Sequence, residues 1–454
     1  MDFFESAEEA GRAALEMCDP LIVHHYDADG ISAAAIVCKA RKQAGKDFRT
    51  KSSKPITAED LPALSKEKEI IFVDLGAGQL DLIEKLDAKC VIIDHHPASR
   101  RSKLPQANPR EHGFDGTREA CAATAAYYCF NHAGVPGIAE LGITGAVGDM
   151  QHLTGLIGLN ERMLDSAVEA GTVLHERDLR VLGRSTKPLV QLLSECTSPC
   201  LPELTGDEQA CALFLTRRGF PLKRGSKELK YYDLEPSERK RLVGELINYC
   251  TESSLSPEDV KSLVGDVYLF PNEPSGSAKS DAAEYAALLN ACGRRGEAQI
   301  GVDACLGREG ALENAKGFLA DYYSAVRDGI NFARDSFIDA GPYYLIDARG
   351  FIPSEIIGIV ASAFLDSGAV KRTKPVIALS SDNGTVKASA RGTARLVESG
   401  LNLSEAFRKA GKAANGRGGG HDIASGCSFP DSPGNEAAFL KKAKDVIEIQ
   451  LELR

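Results

Sequence analysis

No apolar run in this sequence approaches the roughly 20 residues that a helix needs to cross a bilayer. The longest candidate, IIGIVASAFL at 356–365, is about half that length and reads as a buried helix. The amino-terminal stretch MDFFESAEEAGRAALEM carries acids and lacks the basic region and apolar core of a secretory signal. We therefore expect a cytoplasmic protein with no membrane partner. Tryptophan is also absent, which excludes nothing. The 12 cysteines are scattered; Cys196 and Cys200 have no second pair nearby to complete a zinc site, so the thiols read as reduced and mostly buried. An overall basic excess is missing too. The net charge is −10, which by itself argues against a phosphate-rich partner.

The charge is unevenly placed. Residues 41–54, RKQAGKDFRTKSSK, hold six Lys or Arg against one Asp, and SRRSKLPQANPR at 99–110 and RKAGKAANGR at 408–417 contain no acid. Each run flanks a motif discussed below, which restores nucleic acid as a candidate partner. The chain has 454 residues, 43% hydrophobic and 26% charged, and fits two or three soluble globular domains.

The first 150 residues alternate short apolar runs with helical patterns. PLIVHHY at 20–26, EIIFVDL at 69–75 and CVIIDHH at 90–96 read as strands, with helices at 31–44, 79–87 and 119–133. Continuous apolar strands separated by helices predict an α/β fold whose parallel sheet is covered on both faces. From 196 to 275 the pattern is irregular and rich in turn residues, as an inserted module would be. Residues 281–338 look largely helical, and a smaller α/β unit follows with strands at YYLIDA, PVIALSS and TVKASARG.

Four polar motifs punctuate the first 150 residues: His25, Asp27, Asp29 and Gly30 in HHYDADG, Asp74 in VDLGAG, Asp94, His95 and His96 in IIDHHP, and Asp149 in GAVGDM. We read each as the carboxyl end of a strand, where open parallel sheets bind ligands. Four of the nine His residues lie in two adjacent pairs beside Asp. Asp and His suit Mn²⁺, Mg²⁺ or Zn²⁺. A carboxylate-rich pair of sites favours two Mn²⁺ or Mg²⁺ ions, which can activate water and stabilise both the entering and leaving oxygens of a phosphoryl group. Near the other end, GRGGGHDIASG at 416–426 reads as a loop whose backbone N–H groups approach a phosphate, with a helix amino terminus after it. Arg417, Gly418, Gly419, Gly420 and His421 belong to it, and Ser389 and Arg391 of the preceding KASARG are placed to face the same anion.

Together these motifs resemble the DHH phosphoesterase superfamily, named for the triplet present here as Asp94-His95-His96. LNACGR at 289–294 resembles a late segment of the RecJ-type catalytic core, and the glycine run resembles that of the DHH-associated carboxyl-terminal domain. Overall length and the inserted module look most like the archaeal RecJ-like nucleases, including the GINS-associated one. The resemblance implies a DHH catalytic core at 1–195 and an inserted module at 196–275. The end of the core and a connecting helix would follow at 276–335, then a nucleic-acid-binding domain at 336–454, with a cleft between the lobes. It implies two divalent ions, Mn²⁺ or Mg²⁺, held by His25, Asp27, Asp29, Asp74, His95 and Asp149, with Asp74 bridging. His96 would act near the scissile phosphate and Asp94 would orient a ligand imidazole. Asn290, Arg294, Ser389, Arg391, Arg417, Gly418, Gly419, Gly420 and His421 would contact substrate. The implied activity is exonucleolytic cleavage of single-stranded DNA, 5′→3′, in replication or repair. Alternatives are an RNA exonuclease or oligonucleotide phosphodiesterase, and a replisome scaffold that contacts GINS or another replisome protein through the insertion.

Overall fold

The computed structural model describes residues 2–452 apart from Ser99 and Ser254. Its contacts divide into two compact units. One runs up to Thr186 and resumes with Val264–Asp321; the other is Lys187–Leu263 together with the chain from Tyr322 onward.

The first unit is built on a five-stranded parallel sheet. The spatial order is Arg49–Ser53, Leu21–His25, Glu69–Val73, Lys89–Ile93, Gln106–Ala107. The side chains alternate between two separate cores. Ile22, Ile71, Val73, Val91 and Ile93 face one, and Leu21, Val23, Ile70, Phe72, Cys90 and Ile92 the other. Burial on both faces is why these strands are apolar throughout. The strand order reverses between Leu21–His25 and Glu69–Val73, and the carboxyl ends of strands at such a switch point are where open α/β sheets bind ligands.

The edge strand Arg49–Ser53 lies inside the basic run, and its polar sequence gave no strand signal. Much of that run is structural. Arg41 is fully buried and donates to the carbonyls of Ala14, Met17, Cys18 and Asp47, while Arg49 pairs with Asp19 and Glu67. In the second basic run Arg100 pairs with Asp81 and Glu84. Arg110 donates to the carbonyl of His95 at 2.8 Å.

The segment 281–338, expected to be largely helical, holds three helices, Ala282–Arg294, Ala298–Cys305 and Ala311–Ser336. The chain rejoins the first unit at Val264–Leu269, which pairs antiparallel with Leu174–Leu179. The second unit has a six-stranded mixed sheet ordered Ile338–Asp339, Tyr344–Asp347, Val376–Asp382, Thr385–Arg391, Ala424–Pro430, Arg417–Gly420. The apolar segment at 356–365 is the buried helix Ile357–Asp366 on one face of that sheet. All 12 cysteines are unpaired, and all but Cys18 are buried. No described helix is long and apolar enough to cross a membrane.

Candidate metal centre

Three strands of the first unit deliver the acidic and imidazole side chains to the switch point. His25 ends its strand, Asp27 caps the following helix Ala28–Gln43 by accepting the Gly30 N–H at 3.0 Å, and Asp29 lies in that helix's first turn. Asp74 follows Glu69–Val73 in a left-handed conformation, with φ of 60°. Asp94, His95 and His96 follow Lys89–Ile93. Asp149 does not end a strand, contrary to expectation: it is the carboxyl-terminal cap of the helix Ile138–Gly148. That helix is apolar on most sides and largely buried, so its period carried no sign of helix.

These side chains converge. His25, Asp27 and Asp74 form one set, Asp29, His95 and Asp149 a second, and Asp74, His95 and His96 a third; within each, the candidate ligand atoms lie within 4.8 Å of one another. His25 Nδ1 is 2.8 Å from Asp27 Oδ2 and 3.4 Å from Asp74 Oδ2. His95 Nε2 is 3.2 Å from Asp74 Oδ1 and 3.8 Å from Asp29 Oδ2. Asp74 thus reaches the first set through one oxygen and the second, via His95, through the other.

Burial and mutual repulsion shape the protonation of the cluster. Burial, then the Asp74 charge, push Asp29 up to about 7. Burial and Asp29 push Asp149 to about 6. Burial opposes charge on His25 and His95, yet Asp27 and Asp74 raise the first to about 10, and Asp74 with Asp29 raises the second well above its ordinary value. The carboxylates and imidazoles therefore share protons that a cation would displace. His25 Nδ1 and Asp74 Oδ1 are buried and make no hydrogen bond of good geometry. Hard carboxylate oxygens mixed with imidazole nitrogens fit divalent Mn²⁺ or Mg²⁺. On donor chemistry and on these two unsatisfied atoms, the residues fit the implied ions.

The supporting shell is as specific as the cluster. Asp29 accepts the N–H groups of Ala122 and Ala123, both at 2.8 Å, and so caps the helix Ala122–Phe130 from 93 residues away. His95 Nδ1 bonds the Gly116 carbonyl at 2.6 Å, which aims Nε2 at the carboxylates. Gln151 donates to Asp149 Oδ2 at 2.7 Å and is itself held by Asn160. Asp94 is directed at His96, whose Nδ1 is 2.8 Å away, and not at the ring of His95. The hydrogen bond to Asp94 is the main reason the His96 pKa is raised.

The close packing of three glycines around the cluster gave no sequence signal. A Cβ on Gly30 would sit 2.4 Å from the His25 carbonyl oxygen, one on Gly145 2.6 Å from Asp29 Oδ1, and one on Gly293 1.8 Å from the Tyr26 carbonyl oxygen. Asn290, expected to touch substrate, instead accepts the Ala28 N–H through Oδ1 at 2.9 Å. The LNACGR segment is thereby a brace for the HHYDADG turn. Arg294 is exposed at the end of the same helix.

In the second unit the glycine run is not a loop before a helix. Arg417–Gly420 is an edge strand that forms a hairpin with Ala424–Pro430. Gly418 is required by close packing, since a Cβ there would lie 2.3 Å from the Phe407 carbonyl oxygen. The hairpin turn and the end of Thr385–Arg391 meet: Gly392 N–H donates to the Ile423 carbonyl at 2.8 Å, and Arg391 pairs in register with Ala424. His421, Ser389 and Arg391 therefore share one end of the sheet. Arg417 does not join them; it pairs with Ser428, four residues beyond Ala424, about 13 Å along the strand. Arg391 donates to Ser362 Oγ at 3.0 Å and to the Ala390 carbonyl, and burial lowers its pKa.

Comparison with known proteins agrees with this anatomy. The DHH family N-terminal domain matches residues 20–146, the DHH-CID domain 181–264 and the DHHA1 domain 343–449. An uncharacterized protein of Methanocaldococcus jannaschii is 29% identical over 440 residues, covering 95% of this chain and 93% of its own. Exonuclease RecJ bound to manganese aligns over 98% of this chain and 94% of its own, with a TM-score of 0.54 and 16% identity. RecJ of Thermus thermophilus in complex with Mn²⁺ gives 0.53 and 16% over 98% of this chain, which spans only 55% of that one. CDC45 from Entamoeba histolytica gives 0.60 and 10% over 97% of this chain and 98% of its own. The chain belongs to the DHH superfamily and has the α/β fold of its RecJ-like members.

Proposed function

We propose that this chain is a metal-dependent exonuclease that hydrolyses phosphodiester bonds in single-stranded nucleic acid, with 5′→3′ action on DNA as the leading case. The observation that carries this reading is the pair of ligand sets joined through the two oxygens of Asp74. His25, Asp27 and Asp74 would hold one divalent ion, and Asp29, Asp74, His95 and Asp149 the other. Two such ions would supply Lewis-acid polarisation of the phosphodiester and a water acidic enough to attack at neutral pH.

The chain's own side chains account for the rest. His96 is half exposed, and Asp94 orients its ring and favours its protonated form, in which its free nitrogen would donate to a phosphate oxygen as negative charge builds. Asp94 can do this because burial, which alone would raise its pKa, is outweighed by His96 and by the Ala77 N–H at 2.8 Å. Arg391, with Ser389 and His421 at the same sheet end, would bind a backbone phosphate: its guanidinium is partly buried, and its hydrogen-bonding partners, a hydroxyl and a carbonyl, are neutral. Lys51, exposed on the edge strand beside Leu21–His25, and Lys54, exposed just after it, extend the basic surface toward the cluster.

The test is digestion of end-labelled single- and double-stranded DNA and RNA with Mn²⁺, Mg²⁺ or chelator. A ladder of products that requires metal and a free single-stranded end is expected. Cleavage only of dinucleotides would move the reading to an oligonucleotide phosphodiesterase, and no cleavage of any strand would end it.

A further inference from the structure

The helix Ile138–Gly148 ends in a motif that ordinarily calls for glycine. Met150 N–H donates to the Val147 carbonyl at 3.1 Å and Gln151 N–H to the Ala146 carbonyl at 3.0 Å, the paired bonds of a Schellman ending. The residue between Asp149 and Gln151 must then be left-handed, and Met150 has φ of 60°. Five described non-glycine residues have positive φ, and Met150 is the one with an apolar side chain. Two of the others are Asn, which tolerates the conformation, and a third is Asp74 in the cluster itself.

Strain at such a residue is usually offset by packing of its side chain. At Met150 it is not: the residue is 56% exposed, although it stands between Asp149 and the buried Gln151 that holds it. Leu153, three residues on, is 50% exposed. An apolar lip thus adjoins a cluster made otherwise of carboxylates and imidazoles. Glycine would serve the backbone better, and the fold gains little from the thioether, so its natural contact is a molecule that docks at the cluster.

We propose that Met150 is a specificity-determining contact for the nucleoside next to the scissile phosphate. This rests on the functional reading above. A phosphodiester brought to Asp74 and His95 carries a sugar and base on each side, Asp149 stands within 4.8 Å of the His95 ligand atom, and a flexible, polarisable Met side chain next to it suits the face of any base.

The experiment compares Met150→Gly, Met150→Leu and the unmodified chain on a single-stranded oligonucleotide and on methyl p-nitrophenyl phosphate, a diester with no nucleoside. For Met150→Gly we expect KM on the strand to rise about tenfold, the loss of a modest apolar contact, and the strand-to-diester ratio of kcat/KM to fall by about the same factor. Its Tm should stay within about 2 °C of the parent or rise, because glycine relieves the left-handed strain. Met150→Leu should restore the ratio. A Met150→Gly enzyme whose strand KM lies within about twofold of the parent overturns the contact, and so does an equal loss on both substrates, which would report a displaced Asp149. If the unmodified chain cleaves no strand, the functional reading fails and takes this inference with it.

Discussion

The side-chain oxygen of Asn290 accepts a hydrogen bond from the backbone N–H of Ala28 at 2.9 Å, across 262 residues of sequence. Ala28 is the first residue of the helix capped by Asp27, and Gly293, one turn beyond Asn290, lets the same helix press on the Tyr26 carbonyl. The turn that aims Asp27 and His25 is therefore clamped from outside the cluster. The other end of the bracing helix is fixed by Asp281, which caps it and pairs with buried Arg184.

Asn290→Ala should loosen this turn. The lost bond corresponds to about 1 kcal/mol of stability, which the fold should survive. Mn²⁺ affinity measured by calorimetry should fall about tenfold or more, within the range seen when outer partners of metal ligands are removed. A variant that loses stability but binds Mn²⁺ as before would show that Asn290 only supports the fold.

Asp74→Asn separates the two roles of the bridging carboxylate. Asparagine tolerates the left-handed backbone at this position and fills the same space. Asp74 is buried between imidazoles and other carboxylates, and burial above all leaves its pKa raised despite His25 and His95, so the neutral amide should leave the metal-free protein about as stable. The rise in Tm that Mn²⁺ produces by binding the folded state should vanish, together with hydrolysis. A Mn²⁺-dependent Tm rise equal to that of the parent would contradict the bridge.

The titration of the cluster gives a direction for pH. Asp29 at about 7 and Asp149 at about 6 stand above the ordinary carboxyl value, and His25 at about 10 stands above the ordinary imidazole value. A pKa raised by folding contributes stability below the unfolded pKa and loses it as pH climbs through the folded one. For the carboxyls that window runs from about 4 to 7, and for His25 from about 6.5 to 10. Metal-free protein should therefore lose Tm from this cluster between about pH 6 and pH 9. Mn²⁺ must displace the same protons, so the stabilisation it confers should grow over that range. Thermal scans at about pH 6, 7.5 and 9, with chelator and with Mn²⁺, test both slopes.

The parallel sheet and most of the cluster were legible because burial on two faces writes apolar runs, and Asp27, Asp74 and His95 interrupt them where each strand stops. Asp149 was read on the wrong element because the buried helix before it is apolar around most of its circumference. The strand Arg49–Ser53 escaped because an edge strand of polar residues has no alternation to detect. The glycine run misled for another reason. Glycine signals either an anion-binding turn or a close approach, and at Gly418 the approach to Phe407 is what the fold uses. The bracing role of Asn290 and Gly293 lay beyond local reading, since their partners are more than 260 residues away.

Arg391 offers the sharpest test in the second unit. It donates to a hydroxyl and a carbonyl, and burial lowers its pKa, as expected of a guanidinium partly withdrawn from water beside neutral groups. A phosphate there would form charge-assisted bonds with a group already positioned. Arg391→Gln keeps a donor for Ser362 and removes the charge. A charged hydrogen bond of about 1.5–3 kcal/mol corresponds to a rise in KM of roughly 10- to 100-fold. The slope of log affinity against log salt should also become shallower by about 0.7, the contribution of one phosphate contact on a single strand. Stability should be unchanged or improved, because a buried charge is removed from neutral surroundings. An Arg391→Gln variant with parental KM and salt slope would place the strand's phosphates elsewhere in this unit, whatever the metal cluster does.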